Sequence, residues 1–402
     1  MLRRARHLLL VLAVSATTCS VLPEDRAAVP PALDLPVVAT FHGTTVLPAS
    51  GRDVALRLWS GGDLDAATAA AAGRVPGVTA VAHLRTGTVG LVGSRDATGT
   101  PVDVLDEPWQ VPVGVVAVDP ADAATFADPP VRDAVAALRP NGALLTRTAA
   151  ERRGLGVGAR LDLVGASDLE VTAIVPDGTL TDAEVVVHAA VAASLGLSDH
   201  GSLLVATRRP AAEEVTRTLP TVIEDEAIRV VDLRDAATQA PVVLSLTDTK
   251  ATFGEFAIRP RDGVRDVSIE GAWIDANIVI EEVPILGRVR CHRAIIEPLR
   301  TALQDVVDAG LADTIDPSRY QGCFVPRRID TTGANLSHHS WGMALDINVD
   351  LNLPDGGPPP HPEVIDAFAR AGFRWGGLFL NPDNHHFESV GEAATTPPPL
   401  SR

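Results

Sequence analysis

Short apolar runs alternate with alanine-rich runs over the first half of the chain, from about residue 29 to residue 233. Val54, Leu56 and Leu58 alternate with other residues, and this period of two predicts a strand. The alanine-rich run that follows predicts a helix over 63–72. The same order returns at 113–118, which a helical stretch follows, and at 203–219. Recurrent units of this kind predict a sheet with helices packed on it.

The pattern changes beyond residue 250, where longer amphipathic runs appear. A helix is predicted over 290–309, because four apolar residues from Ile295 to Val306 fall on one stripe. A second helix is predicted over 362–371, with Pro362 in its first turn and Gly372 after its end. The C-terminal part is therefore expected to pack helices of its own.

These patterns predict an α+β protein in which a separate α/β sheet-and-helix domain precedes a C-terminal domain of different character. The expected segments are 1–22 (signal peptide), 29–233 (α/β domain), 234–249 (linker), 250–392 (C-terminal domain) and 393–402 (disordered tail).

The composition narrows the class of protein. Of the 402 residues, 46% are hydrophobic and 21% are charged, which excludes disorder as the overall state. The formal net charge of −17 argues against nucleic-acid binding, because no basic surface is available to neutralise phosphates. All basic residues except Lys250 are arginine, and we interpret this preference as a bias towards GC-rich codons without functional meaning.

The first 22 residues have the order of a secretory signal peptide. Three arginines precede an apolar run over 8–14, and small and polar residues follow to Ser20. Because about 20 apolar residues are needed to span a bilayer, this run is too short for a membrane span, and no other stretch qualifies. We expect an exported chain. Cys19 occupies the position of a lipidated cysteine after a poor lipoprotein signal, so lipid anchoring and ordinary cleavage both stay open.

Two cysteines remain after the signal segment, Cys291 and Cys323. In an exported protein, one remaining pair most simply forms a disulfide. Such a bond would tie the helix predicted over 290–309 to the segment around residue 323. A pair of buried free thiols is the alternative.

Two histidine doublets carry the candidate chemistry. The first, His338-His339, precedes a strand-like stretch in which Asp346 alternates with apolar neighbours. The second, His385-His386, lies in another short strand-like stretch. Because neighbouring residues of a strand face opposite ways, only one histidine of each doublet can reach a point shared with the aspartate.

Two imidazole nitrogens and one carboxylate oxygen are a ligand set suited to zinc, with a fourth position left for water. That open position distinguishes a catalytic zinc site from a structural one. Zinc lowers the pKa of its water towards about 7, and a nearby carboxylate then accepts the proton as attack begins. Asp383, three residues before a candidate ligand, is placed for that role.

Four motifs follow one another along this part of the chain. They are Gly322–Arg327, Ser337-x-His339-x-x-Gly342-x-Ala344-x-Asp346, Gly372–Gly377 and Asp383-x-x-His386-Phe387-Glu388. With these motifs, the stretch from about Phe253 to Glu388 resembles the zinc D-alanyl-D-alanine carboxypeptidases and related peptidoglycan L,D-endopeptidases. Those enzymes share the hedgehog/DD-peptidase fold, which the resemblance implies for the C-terminal domain.

The resemblance implies that His339, Asp346 and His386 bind Zn²⁺ and that Asp383 is the general base. Many relatives have Glu at that position, whereas Asp occurs in the endopeptidase-like and phage-lysin branches. The resemblance also implies that Arg327 contacts the substrate carbonyl or carboxylate, where it could stabilise an oxyanion.

Several neighbours have more than one interpretation. Arg328 is the alternative to the adjacent arginine at 327. Ser337 hydrogen-bonds substrate, orients a ligand or caps its loop. Trp341 and Trp375 line the peptide cleft or pack in the core beside it.

The acidic residue that ends the last motif also has two interpretations. Glu388 holds a ligand histidine in its tautomer, or it forms a surface salt bridge. His338 and His385 are expected to face solvent or to contact the residues around the metal.

Over the first half of the chain, four segments form a second, weaker pattern of packing and turn signals. They are Val75–Val78, Gly142–Leu145, Glu151–Gly158 and Val171–Val175. In these segments the chain resembles the extracytoplasmic domain of ABC-transporter permeases of the MacB/FtsX type. Those permeases carry transmembrane helices and this sequence predicts none, so we exclude transport. The resemblance implies a module for protein interaction or positioning.

The sequence therefore predicts an exported zinc metallopeptidase that acts on peptidoglycan stem peptides. It leaves open whether the enzyme is a D-Ala-D-Ala carboxypeptidase or an endopeptidase of the L-Ala-D-Glu type. The first module is expected to contact an envelope protein partner. The alternative is a non-catalytic zinc-binding envelope protein that binds a partner or peptidoglycan, although the presence of all three ligands and the base argues against it.

Overall fold

The structure is a computed structural model that describes residues 53–59, 64–197, 201–223, 229–232, 243–329, 334–352, 358–379 and 382–391. The predicted signal peptide with Cys19 and the predicted tail lie outside the described residues. All described residues fall within one unit of the chain, Ala39–Arg402.

Strands between residues 53 and 232 form one large sheet. They are β1 (Asp53–Trp59), β2 (Val78–Arg95), β3 (Pro101–Val104), β4 (Val111–Val118), β5 (Gly142–Thr146), β6 (Arg160–Leu163), β7 (Ala166–Val175), β8 (Val185–His188), β9 (Gly201–Arg208) and β10 (Arg229–Asp232). Their order is β10-β1-β9-β2-β4-β8-β5-β7-β6, with β3 beside β2. The 18-residue β2 is long enough to pair also with β6, so the sheet curls into a barrel-like form.

Helices of the same region pack on this sheet. They are α1 (Ala66–Gly73), α2 (Pro120–Ala124), α3 (Pro129–Ala136), α4 (Arg147–Arg153) and α5 (Ala212–Ile223). The helix predicted over 63–72 begins three residues later than expected, because the Asp65 side chain accepts a hydrogen bond from the Thr68 amide and caps it there.

The C-terminal part combines short strands with longer helices. The strands are β11 (Ile258–Pro260), β12 (Val267–Ile269), β13 (Ile278–Val283), β14 (Gly287–His292), β15 (Ala344–Asp346), β16 (Phe373–Trp375) and β17 (His386–Ser389). The helices are α6 (Leu246–Phe253), α7 (Gly271–Asn277), α8 (Ile296–Asp308) and α9 (Pro362–Arg370). The strands pair as β11-β12, β13-β14 and β15-β17-β16, so the described chain is α+β with several separate sheets.

The helix predicted over 290–309 is wrong in its first turns. Residues 287–292 form β14, because Val289 and Cys291 are buried while Arg288 and Arg290 are exposed, which is the alternation of a strand paired with β13. The helix begins at Ile296, and its predicted stripe is buried as expected.

Helix α6 spans the expected boundary between linker and C-terminal domain, since it runs from 246 to 253. Its Lys250 is buried among charges from both sides of that boundary. Lys250 Nζ lies 2.7 Å from Glu184 Oε2 and 2.8 Å from Glu255 Oε1. Arg152 and Arg153 complete the cluster, at 3.0 Å from Glu184 Oε1 and 2.8 Å from Glu255 Oε1 respectively.

Backbone contacts join the same two regions. Gln110 of the large sheet exchanges both amide hydrogen bonds with Ile258, at 2.9 and 2.8 Å. The Ala334 amide donates to the Thr88 carbonyl over 3.3 Å. No helix among the described residues is long and apolar enough to cross a membrane.

Candidate metal centre and cleft

Two strands and a short helix bring three candidate ligands together. Asp346 in β15 is the register partner of His386 in the antiparallel β17, so their side chains start from opposed positions. His339 lies in a 3-10 helix, His338–Trp341, that ends at Gly342. Gly342 has φ +68°, and a Cβ there would stand 2.8 Å from the His292 amide nitrogen, so only glycine lets this loop pack so close.

The three side chains converge on one oxygen. Asp346 Oδ1 lies 3.1 Å from His339 Nε2 and 2.9 Å from His386 Nδ1. All three residues are buried, and one donor atom from each lies within 4.8 Å of the others. Two imidazole nitrogens and a carboxylate oxygen at this separation form a set that could hold a metal ion.

The remaining ring nitrogens of both histidines are also held. His339 Nδ1 lies 3.1 Å from the Cys323 carbonyl oxygen, and His386 Nε2 lies 3.2 Å from Glu388 Oε2. These contacts fix each ring in the orientation that points its other nitrogen at Asp346, as outer partners do in metal sites. Cys323 forms the disulfide with Cys291, so the carbonyl that holds His339 is tied to β14.

The electrostatics of the cluster suit a cation. Burial by itself would raise the pKa of Asp346 and Glu388, but the neighbouring histidines outweigh it. The pKa of Asp346 falls far below its usual range, and that of Glu388 falls to about 2. Burial lowers the pKa of His339. For His386, burial by itself would lower the pKa, but the carboxylates of Asp346 and Glu388 outweigh it and raise the pKa to about 10.

The other histidine of each doublet contacts the surrounding carboxylates. His338 Nδ1 lies 2.7 Å from Glu388 Oε2. His385 lies with Nδ1 at 3.1 Å from the Asn352 carbonyl oxygen and Nε2 at 3.1 Å from Asp383 Oδ1. His385 thus touches the carboxylate predicted to be the general base, a contact that its place in the motif did not specify.

A cavity of about 610 Å³ opens over the cluster. His339, His386 and Asp383 line it, together with Arg265 and Arg327. Arg327 Nη2 lies 3.6 Å from the second oxygen of Asp346, so its guanidinium reaches the cluster from the cavity side. The cavity is therefore lined by residues of a set that could hold a metal ion, by the Asp383 carboxylate and by two guanidinium groups.

The side chains of the two adjacent arginines have different surroundings. Arg328 is buried, and its Nη2 donates to the carbonyls of Arg261 and Val264 at 2.8 and 2.6 Å. Those bonds hold a loop, whereas Arg327 lines the cavity. The geometry therefore favours Arg327 over Arg328 as the residue that meets a substrate.

The other residues predicted to contact substrate differ in whether they line the cavity. Ser337 lines the cavity, and its side chain makes no capping bond to the 3-10 helix that follows. Trp341 is 1% exposed, donates to the Gly254 carbonyl at 3.0 Å and packs against the tilted ring of Phe256, so it is a buried residue that also borders the cavity. Trp375 donates to the Asn384 carbonyl and is not part of the cavity wall, which favours the packing interpretation.

Sequence analysis missed part of the cavity wall. Thr88 of β2, Pro112 of β4 and Leu246 of α6 line the same cavity as the metal cluster. No local pattern could indicate this, because these residues are ordinary members of a strand or helix and lie more than 90 positions before His339.

The chain is similar to known proteins in two separate regions. Residues 331–389 match the sequence profile of a family described as D-alanyl-D-alanine carboxypeptidase. The N-terminal part aligns with the periplasmic region of MacB from Actinobacillus actinomycetemcomitans, at 10% identity and a TM-score of 0.32, over 46% of this chain and 91% of that one.

A second solved structure is the extracellular domain of the noncanonic ABC-type transporter YknZ from Gram-positive bacteria. It aligns at 13% identity and a TM-score of 0.30, over 45% of this chain and 100% of that one. No curated protein sequence matches. The comparisons thus confirm both resemblances that were predicted from the sequence motifs.

Proposed function

We propose that the chain is an exported zinc metallopeptidase that hydrolyses peptidoglycan stem peptides, as a D-Ala-D-Ala carboxypeptidase or an L-Ala-D-Glu type endopeptidase. The observation that carries the proposal is the convergence of His339, Asp346 and His386 at the base of a cavity lined by Asp383 and Arg327. The match of residues 331–389 to the D-alanyl-D-alanine carboxypeptidase profile supports the substrate class.

The donor set fits zinc, since two neutral imidazoles and one carboxylate are the ligands of many catalytic zinc sites. Zinc, when bound, would supply Lewis-acid polarisation of the scissile carbonyl and acidify a water molecule. His339 and His386 hold their donor nitrogens toward Asp346 through the bonds to Cys323 and Glu388.

The other residues then have defined tasks. Asp383 accepts the proton of the attacking water and passes it to the leaving amine. Arg327 stabilises the negative charge that develops on the carbonyl oxygen. His385, 3.1 Å from Asp383 Oδ1, orients that carboxylate.

The domain organisation and the export of the chain are part of the same proposal. Residues 1–22 would direct export, and Cys19 would be either lipidated or removed with the signal. Residues 29–233 would form the envelope-facing module, joined by 234–249 to the peptidase at 250–392. An envelope protein is the proposed partner of the first module.

The activity is tested by mass spectrometry of muropeptides incubated with the purified protein and zinc, then with a chelator. Loss of terminal alanine that the chelator abolishes would identify a carboxypeptidase, and a cut inside the stem an endopeptidase. Bound zinc with unchanged muropeptides would contradict the proposal and favour a non-catalytic binding protein.

Two variants separate the roles of base and ligand. Asp383→Ala is expected to abolish turnover and retain zinc, because it removes the proton acceptor and leaves the three donors in place. His339→Ala is expected to lose both. Asp313→Ala and His361→Ala, at exposed positions, are the matched controls. Turnover by Asp383→Ala, or full zinc occupancy in His339→Ala, would reject these assignments.

A further inference from the structure

The cavity above the metal cluster is built from two parts of the chain. The C-terminal part contributes Asp383, Arg327 and Arg265. Thr88 of β2 and Pro112 of β4 also line the cavity, together with Leu244 and Leu246, which follow the sheet along the chain. The large sheet is therefore continuous with the cleft.

The two parts are held together by direct contacts. The Thr88 carbonyl accepts from the Ala334 amide at 3.3 Å, and Thr88 Oγ1 lies 3.4 Å from Asn335 Oδ1. Asn335 itself lines the cavity, three residues before the histidine doublet. The position of β2 thus determines where the loop that carries His339 begins.

A glycine of the sheet leaves space for Leu246, one of the residues that line the cavity. Gly114 in β4 is the register partner of Thr88, and Leu246 Cδ2 would lie 3.9 Å from a Cβ at that glycine. Leu246 consequently rests on the sheet beside Thr88. Together with Pro112 and Leu244 it presents carbon surface without any formal charge to the cavity.

The chemistry of the two parts differs. A peptide in the cavity would meet the cations and the candidate metal ligands of the C-terminal part, whereas Thr88, Pro112, Leu244 and Leu246 offer it only uncharged, mainly aliphatic surface. Apolar surface binds side chains such as the methyl group of alanine, whereas a charged group would lose hydration there without a partner.

We propose that the large sheet is a substrate-binding part of the peptidase. Its Thr88 and Pro112, with Leu244 and Leu246, bind uncharged residues of the stem peptide away from the scissile bond. The proposal rests on the function proposed above and makes the first module a determinant of specificity in addition to any role at the envelope.

The test compares a stem pentapeptide with a short acylated dipeptide that reaches only the scissile bond. Thr88→Trp places a larger side chain in the cavity, and it is expected to lower kcat/KM for the pentapeptide by at least about tenfold. The loss of kcat/KM for the dipeptide is expected to be clearly smaller than the loss for the pentapeptide, and the zinc content is measured in parallel. Leu246→Ala removes part of the wall and should raise KM for the pentapeptide alone.

Val104→Trp is the control, because this residue is 75% exposed on β3 and lies outside the cavity. Equal kcat/KM values for Thr88→Trp and wild type on the pentapeptide would overturn the proposal. So would an equal loss on both substrates, because a distorted site would produce it.

Binding distinguishes this inference from the function on which it rests. If the wild-type protein hydrolyses neither substrate with zinc bound, the proposed function fails. In that case, calorimetric titration of the intact pentapeptide still tests whether the large sheet binds the peptide. Weaker binding to Thr88→Trp than to Val104→Trp supports the proposal, and equal binding overturns it.

Discussion

Glu388 contacts two histidines through one oxygen, at 2.7 Å from His338 Nδ1 and 3.2 Å from His386 Nε2. It is buried, so the surface salt bridge considered from the sequence is wrong. Its contact with His386 leaves Nδ1 of that ring facing Asp346. At this scale, a single carboxylate oxygen determines which nitrogen is available to a metal.

Glu388→Gln is expected to weaken zinc binding roughly 10- to 100-fold, because the amide lacks the charge that holds His386 in place. Competition with a chromophoric chelator measures the affinity. Glu363→Gln, at an exposed position of α9, is the matched control. Unchanged zinc affinity in Glu388→Gln would show that the contact does not support the site.

At the scale of elements, the disulfide joins β14 to the loop that carries Arg327. The Cys291 and Cys323 Cα atoms lie 5.0 Å apart, and both residues are buried in the C-terminal core. Because the Cys323 carbonyl holds His339, this cross-link connects the stability of β14 to the orientation of a candidate ligand.

Replacing both cysteines, Cys291→Ala with Cys323→Ala, is expected to lower the free energy of unfolding by about 3 kcal/mol. The reason is that the bond closes a loop with a sequence separation of 32 and so restricts the unfolded chain. Guanidinium titration measures the change. Wild type under reducing conditions should match the double variant. Equal stability of the double variant and wild type would reject this role.

At the scale of the whole molecule, a buried charge cluster joins the large sheet to the C-terminal part. Lys250 is 3% exposed and contacts Glu184, the residue before β8 of the sheet, and Glu255 from the C-terminal part. No sequence pattern indicated this contact. Burial alone would raise the pKa of Glu255, but Lys250, Arg153 and Arg152 outweigh it and lower the pKa to about 2.

The lowered pKa predicts how stability depends on pH. The folded value of about 2 lies below the ordinary 4.5, so ionised Glu255 stabilises the fold above pH 4.5 and loses this contribution as pH falls to about 2. Glu255→Gln is expected to cost about 3 kcal/mol at neutral pH. Urea titrations at several pH values should show this difference shrinking with acid.

Glu213→Gln, exposed on α5, is the control for the loss of one carboxylate. A difference between Glu255→Gln and wild type that stays constant from neutral pH to strong acid would contradict the assignment of the stabilisation to ionised Glu255.

Local sequence patterns predicted several of the strands and helices. Period-two alternation predicted β1, and the stripe from Ile295 to Val306 is buried in α8. The strand predicted around Asp346 is shorter than its pattern, because Asn348 adopts φ +54° and ends it. Its neighbours are buried on both faces, so alternation there did not reflect one apolar side.

The sequence by itself determined the kinds of side chain at the site and their order, because ligand chemistry and short motifs depend on residues a few positions apart. Only the tertiary structure decided which of two adjacent arginines reaches the cavity. It alone also shows that the large sheet lines the cleft. Thr88 and Asn335 are 247 positions apart, and contact at that separation depends on how whole elements pack, which no local pattern records.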